Sequence, residues 1–68
     1  MKTIYEKIKD LRITNGYSQQ YVAEYLKIDR SNYSKYELGK LEISLSMLKL
    51  FCILYNVSAD YLLGLKEI

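Results

Sequence analysis

A short segment after residue 28 concentrates side chains that can hydrogen-bond to nucleic acid. Arg30, Ser31, Asn32 and Lys35 are predicted to lie on the outer side of one short helix. Side chains of these types donate to and accept from base edges and phosphate oxygens. Asp29 precedes them at a position that predicts an N-cap, and the partial positive charge of a helix N-terminus favours a nearby phosphate.

The segment from Ser18 to Gly39 is predicted to form two such helices joined by a sharp turn. Ser18 and Asp29 have the side chains that start helices, and Gly39 supplies the left-handed residue that ends the second one. Only residues 27–28 remain for the turn. The helices must therefore cross steeply, with a small residue, Ala23, where they touch. The pattern is that of a helix-turn-helix.

With these residues the chain resembles the Cro and phage-repressor type of helix-turn-helix, the XRE family. The resemblance extends from Ile4 to Gly64 and is carried by three segments in order: IKDLRITNGYSQQYVAEYL from Ile8, SNYSKYELGK from Ser31 and LYNVSADYLLG from Leu54. It implies an all-α, compact, lambda-repressor-like five-helix bundle in which helices 2 and 3 form the helix-turn-helix. We expect one domain over residues 1–68, with its core at about 4–64.

The resemblance also implies roles for individual residues. Family members contact base edges from positions that match Arg30, Ser31 and Lys35, and Asn32 is an addition. They hold phosphates from positions that match Gln19 and Lys40, and Ser18 is expected to add a backbone-amide contact at the same helix terminus. They also pair an arginine with a glutamate between the first and third helices. At the matching positions, Arg12 and Glu37 are expected to form that pair.

Two departures from the family pattern concern the backbone. Lys27 stands where the turn usually has glycine, so this turn is either strained or avoids positive φ. The segment before the fourth helix lacks the proline that is common there. Neither change removes a polar group expected to contact DNA.

The other three helices follow from apolar periodicity and capping signals. The first has an inner face at Ile4, Ile8 and Leu11, the fourth runs from about Ser44 to Tyr55, and the fifth runs from Ser58 to Gly64. On the fourth helix, the face that matches the family core carries Leu48, Phe51, Cys52 and Tyr55.

The fourth helix carries a second apolar stripe, which is predicted to lie well round the helix from the core face. A small domain cannot wrap such a helix completely, so this stripe indicates a subunit interface, although local packing is the alternative. Together with the fifth helix and the tail it predicts a self-complementary dimer surface. The stripe consists of Ile43, Met47, Leu50 and Leu54. The predicted dimer surface consists of Met47, Leu50, Leu54, Tyr61, Leu63, Leu65 and Ile68.

Composition restricts the remaining functions. The 68 residues include one cysteine, Cys52, and no histidine, and no nucleophile and base pair stands out, so we expect no catalytic site, metal or cofactor. Cys52 is expected to be a buried hydrophobe rather than a redox sensor. Eight tyrosines could stack on single-stranded bases, but Tyr33, Tyr36 and Tyr55 fall at core or half-buried positions.

The formal net charge of +2 is ordinary for a small domain, and only its placement near the helix-turn-helix favours nucleic acid. No apolar run approaches a membrane span and the first residues do not resemble a signal peptide, so a cytoplasmic protein without membrane association is expected. The predicted function is sequence-specific binding of double-stranded DNA as a transcriptional regulator, a homodimeric repressor at a palindromic operator, with no small-molecule ligand. The alternative is an antitoxin or another protein-interaction module whose fourth helix binds a different protein. An enzyme is a distant third.

Overall fold

The computed structural model describes residues 2–66, and these fold into five helices without a strand. The helices are α1 (Ile4–Thr14), α2 (Gln19–Leu26), α3 (Arg30–Glu37), α4 (Leu45–Tyr55) and α5 (Ala59–Leu63). The predicted all-α, five-helix class is confirmed. None of the helices within residues 2–66 has the length and apolar character needed to cross a membrane.

Each helix begins at a side chain that accepts a hydrogen bond from the backbone N–H three residues further on. The five N-caps are Thr3, Ser18, Asp29, Ser44 and Ser58. These short polar side chains satisfy one of the amides that a helix start leaves without a partner. Because capping is local, the predicted starts at Ser18, Asp29 and Ser58 agree with the structure.

The core draws side chains from all five helices. Its buried members are Ile8, Val22, Ala23, Leu26, Tyr33, Leu48, Phe51, Tyr55 and Leu62. Phe51 and Tyr55 stack nearly parallel, with ring centroids 6.4 Å apart. Ala23 is fully buried, as expected for a small residue at a close approach of two helices. The core fixes α2 and α3 against the rest of the bundle.

The second apolar stripe of α4, predicted as a subunit interface with local packing as the alternative, is partly covered by the rest of the bundle. The stripe of Ile43, Met47, Leu50 and Leu54 is half-buried and packs against the core. The exposed apolar residues of α4 are instead Leu45 and Ile53, at 81% and 68% exposure. Successive helical residues differ by about 100° in direction, so the stripe lies beside the Leu48, Phe51 and Tyr55 face rather than opposite it. The bundle buries the face of Leu48, Phe51 and Tyr55 and half-buries the stripe.

Cys52, predicted to be buried, is only partly so. It lies on the side of α4 near Leu45 and Ile53, where an open, apolar groove also includes Ala59 of α5. Ile68, the last of the predicted interface residues, lies outside the described residues.

Candidate nucleic-acid interface

α3 separates into an inner aromatic face and an outer polar face. Tyr33 is buried and Tyr36 is half-buried, and both pack with the core. The outer face carries exposed side chains at all four positions predicted to contact bases, Arg30, Ser31, Asn32 and Lys35. The structure thus presents these residues to solvent on one short helix.

The start of α3 organises part of this face before any ligand binds. Asp29 Oδ1 accepts from the Asn32 backbone N–H at 2.8 Å and from the Ser31 hydroxyl at 3.0 Å. These two hydrogen bonds, the Asn32 one foremost, lower the pKa of Asp29, so the carboxylate is ionised at neutral pH. Since the Ser31 hydrogen points to Asp29, Ser31 faces outward as an acceptor.

The turn between α2 and α3 contains a left-handed residue. Lys27 has φ 60° and ψ 40°, and its backbone N–H bonds to Glu24 O at 3.1 Å. Ile28 N–H bonds to Ala23 O at 3.0 Å, which completes a Schellman-type C-terminus for α2. Of the two alternatives left open for this turn, the structure shows the strained one.

α3 ends with the same hydrogen-bond pattern as α2, and here the left-handed residue is a glycine. Gly39 has φ 74°, and its N–H bonds to Tyr36 O at 3.0 Å while the Lys40 N–H bonds to Lys35 O at 2.8 Å. A Cβ on Gly39 would lie 3.5 Å from the ring of Tyr5, so α1 also packs closely here. The backbone of Lys40 is therefore fixed, and its side chain is exposed.

Arg12 and Glu37 form a two-point ion pair that joins α1 to the end of α3. Arg12 Nε lies 2.6 Å from Glu37 Oε2, and the terminal nitrogen Nη2 lies 3.2 Å from Oε1. The remaining terminal nitrogen of Arg12 donates to Tyr17 O at 3.0 Å. Only 14% and 4% of the Arg12 and Glu37 side chains are exposed, so the pair is largely withdrawn from solvent.

The Glu37 carboxylate collects two further donors. Tyr33 donates its hydroxyl to Oε2, and Gln19 donates its side-chain amide to Oε1 at 3.0 Å. Burial alone would raise the pKa of Glu37, but the hydrogen bonds from Arg12, Tyr33 and Gln19 together outweigh it and lower the pKa. Glu37 is thus an ionised carboxylate whose charge is compensated inside the protein. Burial raises the pKa of the Tyr33 hydroxyl.

The residues predicted to hold phosphates lie at two places. Ser18 and Gln19 start α2, where the Ser18 hydroxyl oxygen accepts from the Tyr21 N–H at 3.0 Å. Lys40 follows α3. Glu37 connects the two places, because it is bonded to Gln19 and lies three residues before Lys40.

Several contacts were not found from the sequence. The Gln19–Glu37 and Tyr33–Glu37 hydrogen bonds are two of them. A third is Lys7, which donates to Tyr61 O at 2.7 Å and lies 4.8 Å from the centroid of the Tyr61 ring. No local pattern encodes these contacts, except that Tyr33 and Glu37 are four residues apart and therefore neighbours on one helix.

The predicted dimer residues fall into two groups in the structure. Leu63 and Leu65, near the end of the described chain, are 53% and 75% exposed. The others are half-buried and pack against the core, namely Met47, Leu50, Leu54 and Tyr61. The exposed group is the part of the predicted surface that is available for a partner.

α2 and α3 form a short helix-turn-helix with a polar outer face on α3, and the Arg12–Glu37 ion pair ties it to α1. These features are typical of the helix-turn-helix class of DNA-binding domains. A helix-turn-helix family model matches residues 8–62, and the chain belongs to that family, in its XRE, or Cro-type, branch.

Three similar proteins of Bacillus subtilis (strain 168) are named as HTH-type transcriptional regulators. YonR, described as SPbeta prophage-derived, is 45% identical over 58 residues, which are 85% of this chain and 54% of that protein. ImmR is 40% identical over 63 residues, or 93% and 50%. AnsR is 36% identical over 62 residues, or 91% and 53%. The chain spans about half the length of the curated relatives it matches.

Proposed function

We propose that this protein binds double-stranded DNA in a sequence-specific manner and regulates transcription as a homodimeric repressor at a palindromic operator. The observation that supports this most directly is the outer face of α3, where four exposed polar side chains project from a helix whose Tyr33 is buried in the core. A recognition helix of this type enters the major groove. The relatives' names as transcriptional regulators agree with this function, and none is the name of an enzyme.

The electrostatics of this surface support DNA as the partner. Arg30, Lys35 and Lys40 are exposed near one another in sequence, whereas the nearby acid Glu37 is buried and paired with Arg12. Asp29 caps the helix and stays ionised and exposed, so it offsets one of these cations. Three cations against one free carboxylate still make this small surface basic, and the formal net charge of +2 for the whole chain does not reveal this clustering.

Base readout is assigned to Arg30, Ser31, Asn32 and Lys35. Arginine and lysine favour the O6 and N7 acceptors of guanine, so each half-site should contain at least one G·C pair. Ser31, whose hydrogen is directed to Asp29, suits a base amino group, as on adenine or cytosine. Phosphate contacts are assigned to Ser18, Gln19 and Lys40, and we propose that the protein acts in the cytoplasm without cofactor or small-molecule ligand.

The decisive experiment is a selection of bound duplexes from random DNA with the wild-type protein and with single alanine variants. Arg30→Ala and Lys35→Ala should change the selected bases, whereas Lys40→Ala should weaken all sequences about equally and reduce the log-log salt slope by roughly one unit. Lys9→Ala is the matched control, because Lys9 is an exposed lysine of α1 outside the helix-turn-helix. Failure of the wild-type protein to enrich any sequence would contradict the proposed function.

One observation favours a second candidate, a protein-interaction module such as an antitoxin. The groove between α4 and α5 is open and apolar, and its rim includes the exposed Leu45 and Ile53. Exposed apolar surface of this kind is typical of protein contacts. A purified chain that is monomeric, shifts no DNA from its own promoter region and binds a different protein through Ile53 would support this alternative.

A further inference from the structure

We propose that Glu37 is a positioning residue for DNA binding: its carboxylate holds the Gln19 side-chain amide in the orientation in which that amide donates to a DNA phosphate. This inference rests on the proposed function. The observation behind it is a contact between the first residue of α2 and the last residue of α3, with Gln19 Nε2 3.0 Å from Glu37 Oε1.

The chemistry of the amide makes such a contact directional. A glutamine side-chain nitrogen carries two N–H donors in one plane. When one N–H is bound to Glu37, the nitrogen is held in place and the second N–H is left free in a narrower range of directions. An unrestrained glutamine would have to lose its rotational freedom on binding DNA, whereas here this ordering has occurred in the free protein.

A carboxylate beside a phosphate site is ordinarily repulsive, and the rest of the cluster removes this objection. Arg12 contacts both oxygens of Glu37, at 2.6 and 3.2 Å, and the Tyr33 hydroxyl donates to one of them. The Arg12–Glu37 pair carries no net charge and is largely buried. Glu37 therefore orients a donor next to the DNA backbone without presenting a free negative charge to it.

The test separates positioning from a purely structural role by a double-mutant comparison of DNA affinity. The background variant Arg12→Met/Glu37→Met removes the acceptor of Gln19, strands no buried charge and leaves the formal net charge at +2. Gln19→Ala is made in the wild-type protein and in this background. Gln20→Ala is the matched control, since Gln20 is exposed on the same helix and bonded to Glu24.

Affinity is measured on the duplex enriched by the selection experiment, at one salt concentration and at a temperature where circular dichroism shows every variant folded. We expect Gln19→Ala to weaken binding about tenfold in the wild-type protein, as for a hydrogen bond to a charged group, and less than twofold in the background variant. The background variant should itself bind about tenfold more weakly than the wild-type protein. Gln20→Ala should bind like the wild type.

Two outcomes would overturn the proposal. If Gln19→Ala lowers DNA affinity equally in both proteins, Glu37 does not orient the Gln19 side chain. If Gln19→Ala leaves the affinity of the wild-type protein unchanged, Gln19 does not contact phosphate. In both cases the wild-type protein still binds DNA, so the proposed function survives. If the background variant does not fold, Glu37→Asp replaces it, because it keeps the charge near Arg12 but withdraws the oxygens by one methylene. In the Glu37→Asp protein, too, Gln19→Ala is expected to weaken DNA binding less than twofold.

Discussion

At the scale of single residues, the Arg12–Glu37 pair decides how α1 and α3 are held together. Both side chains are largely withdrawn from solvent, and a buried ion pair returns little net stability while the loss of one partner leaves an uncompensated charge. Arg12→Met or Glu37→Met alone should therefore lower the free energy of unfolding by about 3 to 5 kcal/mol. The double variant should lose much less, as measured by urea unfolding. If the two single variants lose little unfolding free energy and their losses add up in the double variant, the pair contributes no more than a surface ion pair does.

The same pair predicts how stability depends on pH. The pKa of Glu37 lies below its ordinary value of 4.5 in the folded protein, so the folded state binds its proton less readily than the unfolded chain. The stabilisation is fully present above the unfolded pKa and is lost as the pH falls through the folded value. Between pH 5 and pH 3, the wild-type protein should lose more stability than Arg12→Met/Glu37→Met, because other carboxylates affect both equally. Parallel stability curves would contradict this.

The backbone conformation of Lys27 lowers the stability of the folded protein. Its φ of 60° places a non-glycine residue in the left-handed region, which costs roughly 1 to 2 kcal/mol for a residue with a Cβ. Lys27→Gly should raise the free energy of unfolding by about 0.5 to 1 kcal/mol, reduced from the full strain by the greater entropy of unfolded glycine. Asn56→Gly is the control, because Asn56 has φ 53° and asparagine tolerates this region better. If thermal unfolding shows that Asn56→Gly stabilises the protein more than Lys27→Gly does, the backbone strain does not lie at Lys27.

At the scale of elements, α4 illustrates how a helix can be apolar on most of its circumference and still present one face to solvent. Leu50 packs against the core, whereas Ile53 is 68% exposed. Leu50→Asp should lower the free energy of unfolding by about 1 to 3 kcal/mol, through lost apolar burial and a charge brought against the core. Ile53→Asp, on the same helix, should change it by no more than about 0.5 kcal/mol. Equal losses in urea unfolding would mean that α4 packs differently from the structure.

At the scale of the whole molecule, the sequence predicted what depends on neighbouring residues and missed what depends on tertiary contact. The caps at Ser18 and Asp29 were predictable because hydroxyl and carboxylate side chains act within one helical turn. The apolar stripe of α4 was located correctly, but periodicity does not say how wide an arc the other helices cover. The Gln19–Glu37 hydrogen bond joins residues 18 positions apart, and no pattern in the sequence identifies it. The predicted DNA-contacting and dimer residues stay predictions.

Dimerisation is the property of the whole molecule on which the proposed repressor function depends. One recognition helix reads only a few base pairs, whereas a two-fold dimer doubles the site, with half-sites about 34 Å apart. Because Met47, Leu50 and Leu54 pack against the core, the interface is better tested at Leu63 and Leu65, which are 53% and 75% exposed. Exposed apolar side chains near one end of a small bundle suit a self-complementary patch.

Leu63→Asp/Leu65→Asp should therefore give a folded monomer whose affinity for a palindromic duplex falls by more than tenfold, because each half-site is then bound separately. Circular dichroism checks the fold, sedimentation gives the mass, and titration of the full palindrome and of a single half-site gives the affinities. Only binding to the full palindrome should weaken. Ile13→Asp is the matched control, since Ile13 is an apolar residue of α1 with 57% exposure, and it should remain dimeric. A double variant that sediments as a dimer would move the interface away from the end of α5, and the exposed Leu45 and Ile53 on α4 would be the next surface to test.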